Sequence, residues 1–127
     1  MTVNRLVALD MPASFDFANH VRNAWESGDA VFPVDQRLPQ SAKESLIEQF
    51  KPSVVIDASG NSVDLPNPEP IAHHDALVIA TSGSTGAPKG VVHTHDSIRA
   101  LLNMSQSRLQ TDSSTHWLLC LPVSHVA

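Results

Sequence analysis

The chain has 127 residues, which is enough for one domain with a hydrophobic core of its own. It has 13 acidic and 8 basic side chains, a formal charge of −5, and no cluster of Lys and Arg. The sequence therefore has no basic patch of the kind that binds the phosphates of nucleic acid, and no basic face that would bind an anionic membrane. Composition and charge indicate a soluble globular protein that does not bind nucleic acid.

The N-terminus and the single cysteine bear on where the protein is found. The apolar run at residues 6–9 is too short for the hydrophobic part of a secretion signal, and no apolar run reaches the ~18 residues of a membrane span. Cys120 is alone, so no intrachain disulfide is expected, and its apolar neighbours predict a small buried side chain. We expect a cytoplasmic protein without a membrane span.

Periodic patterns predict an alternation of helices and strands. Apolar residues at helical spacing predict three helices, over residues 14–27, 38–50 and 94–109. Short apolar and β-branched runs predict four strands, over residues 29–34, 53–57, 76–80 and 116–123. Between them, residues 58–75 predict a surface loop with edge-strand character near Val63 and Leu65. This alternation predicts an α/β fold with a mostly parallel sheet and flanking helices.

Local signals set the expected helix ends and buried faces. Ser14 is placed to cap the first helix and Gly28 to end it, while Lys51 and Pro52 close the second. The third helix is expected to pack through an apolar face formed by Ile98, Leu101, Leu102, Ser105 and Leu109. Each helix therefore has a predicted inner side.

Residues 81–90, Thr-Ser-Gly-Ser-Thr-Gly-Ala-Pro-Lys-Gly, carry the strongest functional signal of the sequence. Glycines let a backbone turn through positive φ and bring N–H groups near an anion, and the hydroxyls and Lys89 add donors and a positive charge. The loop also leaves the end of a predicted strand, where ligands of open α/β sheets bind. These features favour phosphate binding, and the alternative interpretation is a polar turn between two strands.

Two common phosphate-loop patterns do not fit this segment. A Walker A loop has Ser or Thr after its lysine, whereas Lys89 is followed by Gly90. The GxGxxG pattern does not fit either, because Gly83 and Gly86 are separated by two residues. Instead, residues 81–91 resemble the pattern TSG(S/T)TGxPKGV of the adenylate-forming, AMP-binding superfamily at every defined position.

Three flanking segments agree with this resemblance. Residues 92–95, Val-His-Thr-His, resemble the sequence ending in Thr-His that follows the loop in the superfamily, and residues 121–125 resemble its L-P-x-x-H motif. Residues 28–39 resemble an upstream segment rich in Pro, with Gln36 where Pro is common. The resemblance covers residues 28–127 and is to the acyl-CoA synthetase type.

The resemblance implies a domain organisation and a reaction. Residues 1–127 would be an incomplete N-terminal AMP-binding domain with its phosphate loop at 81–91. The C-terminal domain, the catalytic residues and the Mg²⁺ ligand would lie downstream of Ala127. The complete protein would be an acid–thiol ligase, in which a small-molecule carboxylic acid reacts with ATP and CoA then takes the acyl group. Without the remainder of its own chain, this fragment is expected to be inactive.

Site residues follow from the same resemblance. The ATP phosphates would be bound by Thr81, Ser82, Gly83, Ser84, Thr85, Gly86 and Lys89. His125 would line the acyl pocket, and the alternative is a histidine at a strand end bonded to the backbone. No metal site is predicted, because four nearby histidines fit no zinc spacing, namely His73, His74, His93 and His95.

The acid substrate is indicated by the end of the sequence. Residues 117–126 resemble a W-L-x-C-L-P-x-x-H-V run of o-succinylbenzoate–CoA ligases, which act in menaquinone biosynthesis, and the short segment before the loop suits these compact enzymes. One alternative is a fragment of a fatty-acid–CoA ligase. A different alternative is a non-catalytic remnant of the fold that binds nucleotide or a partner.

Overall fold

The computed structural model describes residues 4–83 and 86–125. Its elements are, in chain order, β1 (Leu6–Asp10), α1 (Phe15–Glu26), β2 (Ala30–Pro33), α2 (Gln40–Phe50), β3 (Val54–Asp57), β4 (Ser62–Asp64), β5 (Asp75–Thr81), β6 (Lys89–Thr94) and α3 (His95–Leu109). The strands of this described part form one six-stranded sheet in the order β4-β3-β1-β2-β5-β6. Two neighbouring pairs, β3-β1 and β2-β5, join strands that are not consecutive in the chain.

The four central strands are parallel, and antiparallel strands close both edges. β1 pairs in parallel with β2 and β3, with Val7 opposite Val31 and Val54, and β2 pairs in parallel with β5. β4 and β6 pair antiparallel with β3 and β5. The predicted α/β fold with a mostly parallel sheet is confirmed. Val63 lies in edge strand β4, as predicted, whereas Leu65 follows its end.

Helices α1 and α2 cover opposite faces of the sheet. The chain moves from β1 to β2 in one direction across the sheet and from β2 to β3 in the opposite direction. Because both crossovers are right-handed, the two connecting helices lie on opposite faces. The core under α1 contains Val7, Leu9, Met11, Phe17, Ala24, Val31 and Val54. The core under α2 contains Leu6, Ala8, Ala30, Phe32, Val34, Leu46 and Val78. Strands buried on both faces explain the continuous apolar runs of the sequence.

The first helix begins and ends where the local signals predict, and the second ends where they predict but begins at Gln40, after Pro39. The Ser14 hydroxyl accepts a hydrogen bond from the Phe17 N–H at 3.0 Å and caps α1, and Gly28 after its end has a φ of +80°. After α2, Lys51 adopts the left-handed conformation at φ 45°, and its N–H donates to the Ile47 carbonyl. Three predicted strands, over 29–34, 53–57 and 76–80, also agree with the structure within one residue at each end.

Strand β1 was not predicted, although it lies in the middle of the sheet. Residues 6–10 were assigned no element, since the four apolar residues at 6–9, near a terminus, show no period of their own. Ala8 and Leu9 are nonetheless completely buried. The strand exists because β2 and β3 flank it on both sides, and both come later in the chain.

Strand β6 was also not predicted, because only Val91 and Val92 of its six residues are apolar. It pairs with β5 over six residue pairs, from Thr81 opposite Lys89 to Asp75 opposite Thr94. The Gly-rich loop therefore connects two antiparallel strands. This arrangement matches the alternative interpretation of a turn between strands, so the fold of the loop by itself does not separate that interpretation from phosphate binding.

Helix α3 corrects the prediction of a buried inner face. It begins beside Thr94, whose hydroxyl accepts from the Ser97 N–H at 3.2 Å, but none of its residues is buried. The predicted apolar face lies largely in solvent, with side chains more than half exposed at Leu101, Leu102 and Leu109. An amphipathic helix buries its stripe only where another layer covers it. Within the described part of the chain, no helix is long and apolar enough to cross a membrane.

The segment after α3 corrects two further predictions. Residues 116–123 form no strand, and the side chains of Trp117 and Leu118 are 72% and 83% exposed. Cys120, expected to be buried, is exposed. A strand forms where a neighbouring strand supplies its backbone hydrogen bonds, and no described strand pairs with this segment. The apolar composition was therefore a poor guide to burial here.

Candidate functional site

The candidate site lies at the carboxyl ends of the parallel strands β2 and β5. Three loops meet there: residues 34–39 after β2, the described residues 82–83 and 86–88 after β5, and residues 122–125. Val123 packs against the core under α1, whereas His125 lines a cavity together with Phe32 from the opposite core. The final described segment therefore passes over this edge of the sheet. All three loops belong to segments that resemble the superfamily.

The Gly-rich loop has two positions where only glycine suits its backbone. A Cβ at Gly83 would lie 2.1 Å from the carbonyl oxygen of Ala87, which leaves no room for a side chain. Gly86 has a φ of +87°, and its N–H donates to the Gly83 carbonyl at 3.1 Å. The predicted phosphate ligands Ser84 and Thr85 lie outside the described residues. In the described part of the loop, backbone atoms therefore make the contacts: the Gly86 N–H bonds the Gly83 carbonyl, and the Ala87 carbonyl lies against Gly83.

The loop rests on the last turn of α2. The side-chain amide of Gln49 donates a hydrogen bond to the Pro88 carbonyl. A Cβ at Gly90 would lie 3.1 Å from Val78 and 3.5 Å from the ring of Phe50, so this glycine allows close packing at the base of the loop. The C-terminal end of α2 therefore supports the segment that contains Lys89.

The polar groups at the start and end of the loop face solvent. Thr81 and Ser82 are exposed, and the Thr81 hydroxyl donates to the Lys89 carbonyl at 3.3 Å. Lys89 is also exposed, and it takes part in none of the ion pairs found among the described residues. Its ammonium group is therefore placed to meet an anion from solution.

Two cavities adjoin His125 and share Ala80, Thr81 and Ser82 as lining residues. The smaller, of about 180 Å³, extends between β2 and α2, and its apolar lining comprises Phe32, Pro33, Leu38, Leu46, Ala80 and Pro88. The larger, of about 390 Å³, lies along β5 and β6, next to His93. The structure therefore brings His125 together with the first two residues of the predicted phosphate loop.

His125 contacts two charged side chains from the loop after β2. Its Nε2 lies 3.2 Å from the Asp35 carboxylate and also contacts the Arg37 guanidinium. Arg37 donates from Nε and Nη2 to the two oxygens of Asp35, at 3.0 and 2.8 Å, a bidentate geometry. The Arg37 side chain holds the pKa of Asp35 well below its usual range, and the contact with His125 adds to this. The Asp35 side chain, 17% exposed, therefore stays ionised.

The Asp35 carboxylate is expected to add stability at neutral pH that is lost on strong acidification. Its pKa is lower in the folded chain than in the unfolded chain, so its contribution is complete above the ordinary carboxyl value of 3.8 and declines as the pH falls below it. We expect the difference in unfolding free energy between wild type and Asp35→Asn to be smaller near pH 3 than at about pH 5. Urea titrations measure this, and a difference that stays constant down to about pH 3 would contradict it.

Sequence reasoning found His125 and the loop but missed Asp35 and Arg37 as site residues. The available signal was their position directly after a strand end, in the segment 28–39 that resembles the superfamily. The alternative for His125, a histidine at a strand end, does not match, because residues 121–125 form no strand and its ring contacts side chains. The backbone N–H of His125 donates to the Pro122 carbonyl.

The histidines considered for a metal site are spread over several elements. His73 and His74 stack edge to face with each other, and His95 makes an edge contact with Trp25 at a centroid distance of 5.3 Å. Within residues 4–83 and 86–125, no group of three His, Cys, Asp or Glu side chains is arranged to hold a metal ion. The rings of His73, His74 and His95 are engaged in local packing.

Comparisons with known proteins bear on the family. The profile of the AMP-binding enzyme family matches residues 57–127, which are more than half of the chain. A malonate–CoA ligase of Arabidopsis thaliana is 51% identical over 51 residues, or 40% of this chain and 8% of that ligase.

Solved structures share the fold. The nonribosomal peptide synthetase FmoA3 superimposes with a TM-score of 0.79 and 20% identity, over 98% of this chain and 15% of the synthetase. MenE of E. coli, with bound OSB-AMS, superimposes with a TM-score of 0.68 and 23% identity, over 98% of this chain and 31% of that protein.

The chain spans less than a third of the length of each of these three proteins. At identities below 25%, the two structural matches show the fold alone. The family profile covers the Gly-rich loop, both strands that flank it and His125. The predicted superfamily is confirmed, and this chain belongs to the AMP-binding enzyme family.

Proposed function

We propose that residues 1–127 form the N-terminal part of the AMP-binding domain of an ATP-dependent acid–CoA ligase. The observation that carries this proposal is the meeting of three segments at one edge of the sheet: the Gly-rich loop, His125, and the loop after β2. The remainder of the proposed enzyme, including its C-terminal domain and catalytic residues, belongs to a longer protein. This proposal also agrees with the likeness to a malonate–CoA ligase.

The loop would bind the part of ATP that leaves. In the proposed reaction a carboxylate oxygen of the acid forms a bond to the α-phosphorus, and the bond from that phosphorus to the bridging oxygen breaks. Pyrophosphate departs with the electron pair of the broken bond. The CoA thiol then takes the acyl group, and AMP leaves. Negative charge builds on the β-phosphate, so donors fixed around it lower the barrier.

Each proposed ligand of the phosphates has a distinct part. Gly83 and Gly86 shape the turn, since neither position tolerates a side chain without strain or collision. Hydroxyls of Thr81, Ser82, Ser84 and Thr85 would donate to phosphate oxygens. Lys89 would supply the positive charge that the leaving pyrophosphate needs, because its ammonium group is exposed and the described ion pairs do not include it.

His125 would face the acid and the adenylate. It adjoins the apolar cavity between β2 and α2, and it lies beside Ser82 in both cavities. Mg²⁺ would accompany ATP and neutralise its phosphates, with ligands from the remainder of the enzyme. The enzyme would work in the cytoplasm, where ATP and CoA are available.

The acid we propose is o-succinylbenzoate, on the resemblance of residues 117–126 to the ligases of menaquinone biosynthesis. The fold shared with MenE, whose structure holds OSB-AMS, is compatible with this. Malonate is the second candidate, favoured by the 51% identity to a malonate–CoA ligase. Both acids carry two carboxylates, unlike a fatty acid, so a comparison of the three separates the alternatives.

The first test is acid-dependent exchange of labelled pyrophosphate into ATP by the full-length enzyme. We expect exchange with o-succinylbenzoate or malonate and a loss of about 100-fold in Lys89→Ala, because a charge on the leaving group is no longer neutralised. Arg108→Ala is the matched control, since it removes one exposed positive charge from the far end of α3.

Two outcomes would overturn the proposed function. One is a folded full-length protein that shows no exchange with any of the three acids. The other is a coding frame that stops directly after codon 127, which would favour the non-catalytic remnant. Equal exchange in Lys89→Ala and Arg108→Ala would leave the ligase in place but contradict the role of Lys89.

A further inference from the structure

A cluster of three charged or ionisable side chains joins two distant parts of the chain at the site. Asp35 and Arg37 follow strand β2, and His125 lies 90 and 88 residues further along. No local element holds them together, since residues 122–125 belong to no described helix or strand. Their contacts are therefore a tertiary link between the β2–α2 loop and the segment that passes over the sheet edge.

Within the cluster, Asp35 is the most firmly held member. It accepts the two side-chain hydrogen bonds from Arg37 and a third from the Arg37 N–H at 3.0 Å. Its side chain is 17% exposed, whereas the side chains of Arg37 and His125 are 63% and 52% exposed. The carboxylate is thus a fixed point, and the histidine is the group that would otherwise turn freely.

The contact geometry fixes one nitrogen of the His125 ring. Nε2 contacts both Nη2 of Arg37 and the Asp35 carboxylate, which are themselves bonded to each other, so rotation of the ring would break both contacts. With Nε2 held in this position, the orientation of the rest of the imidazole ring is also set. Because His125 lines both cavities, the orientation of its ring decides which groups it presents to each.

We propose that Asp35 and Arg37 are positioning residues that hold the ring of His125 beside Thr81 and Ser82, where the acid meets ATP. This inference rests on the proposed function. Holding a half-exposed ring in one orientation before the substrate arrives removes an entropic cost from the bound state. Asp35 therefore acts on the reaction through His125, without touching the substrate.

A double-mutant cycle in the full-length enzyme tests this relation. We expect Asp35→Asn and His125→Ala each to lower kcat/KM for the acid about tenfold and to leave KM for ATP unchanged. In the His125→Ala background, Asp35→Asn is expected to have no further effect, because residues that act as one unit are not additive. Equal losses in both backgrounds would overturn the proposal.

Ring nitrogen resonances of His125 give a readout that does not need activity. We expect the 15N resonance of Nε2 to move in Asp35→Asn and to stay in place in Asp96→Asn. The control residue forms an exposed ion pair with Arg99 on α3, remote in sequence from the cluster. Urea midpoints for each variant show that the fold is retained.

The two measurements separate this inference from the proposed function. If the wild-type enzyme exchanges pyrophosphate with none of the acids, the function fails, and the Nε2 resonance alone then decides whether Asp35 holds the ring. An Nε2 resonance that is unchanged by Asp35→Asn would overturn the positioning role even in an active enzyme.

Discussion

Replacing Asp29 with Ala is expected to lower the free energy of unfolding by about 3 kcal/mol. Asp29 is 2% exposed, and its carboxylate accepts from the Arg5 N–H at 2.9 Å and from Nε and Nη2 of the same residue at 3.1 and 2.9 Å. The adjacent Ala30 N–H donates to the Arg5 carbonyl, so the pair ties together the amino ends of β1 and β2. The variant leaves a partly buried backbone N–H and a guanidinium without their acceptor.

The expected loss lies at the lower end of the range for breaking a buried ion pair, because the Arg5 side chain is 52% exposed and water replaces part of the contact. Urea denaturation measures it, with an unchanged m-value showing that the unfolding reaction is the same. Asp29→Asn keeps an acceptor for the Arg5 N–H and is expected to lose less. Asp96→Ala, which breaks an exposed pair, is expected to change the stability little. Equal effects of Asp29→Ala and Asp96→Ala would contradict the assignment.

Replacing Gly83 with Ala is expected to abolish most of the pyrophosphate exchange of the proposed enzyme. The added methyl group would lie 2.1 Å from the carbonyl oxygen of Ala87, and this neighbour is backbone, which cannot turn aside as a side chain can. The loop must therefore change shape, and a displacement of about 1 Å at a positioned group costs about 100-fold in rate. We expect a rise in KM for ATP together with the fall in kcat.

Alanine variants of two other glycines distinguish the effect of a steric collision from the effect of backbone strain. Gly86 and Gly60 both have positive φ, at +87° and +80°, and a Cβ at either would meet nothing within 4 Å. Gly60→Ala, in the turn between β3 and β4, is expected to cost about 1 kcal/mol of stability and to leave exchange unchanged. Gly86→Ala is expected to show an intermediate loss of exchange. Full activity in Gly83→Ala would mean that the described turn is not the conformation that binds ATP.

Segments with a clear period or a clear boundary signal could be predicted from the sequence. Helix α1 has Ser14 before it and Gly28 after it, and its apolar residues recur on one face, so its limits follow from local chemistry. The strand before the Gly-rich loop has five consecutive apolar residues, at 76–80, and then a run that no helix or strand would continue. The loop itself was found because its residue order is specific.

Elements without a local period could not be predicted, because their partners are distant in the chain. Strand β1 is buried only through β2 and β3, and β6 exists only because β5 offers it an edge. The opposite error occurred at residues 98–109 and 116–123, which were predicted to have buried side chains. Most of these residues are exposed, because no described layer covers them. Apolar composition predicts a preference for burial, and burial itself needs a neighbour.

The sequence by itself determined the family, the α/β alternation and the loop that would bind phosphates, since these depend on residue order and local conformational preference. Tertiary structure alone decided that His125 lies beside Thr81 and Ser82, and that Asp35 and Arg37 contact its ring. Parallel strands bring their carboxyl ends to one edge regardless of the number of residues between them. Contacts at that edge join residues about 90 positions apart, and no local pattern in the chain encodes such a pair.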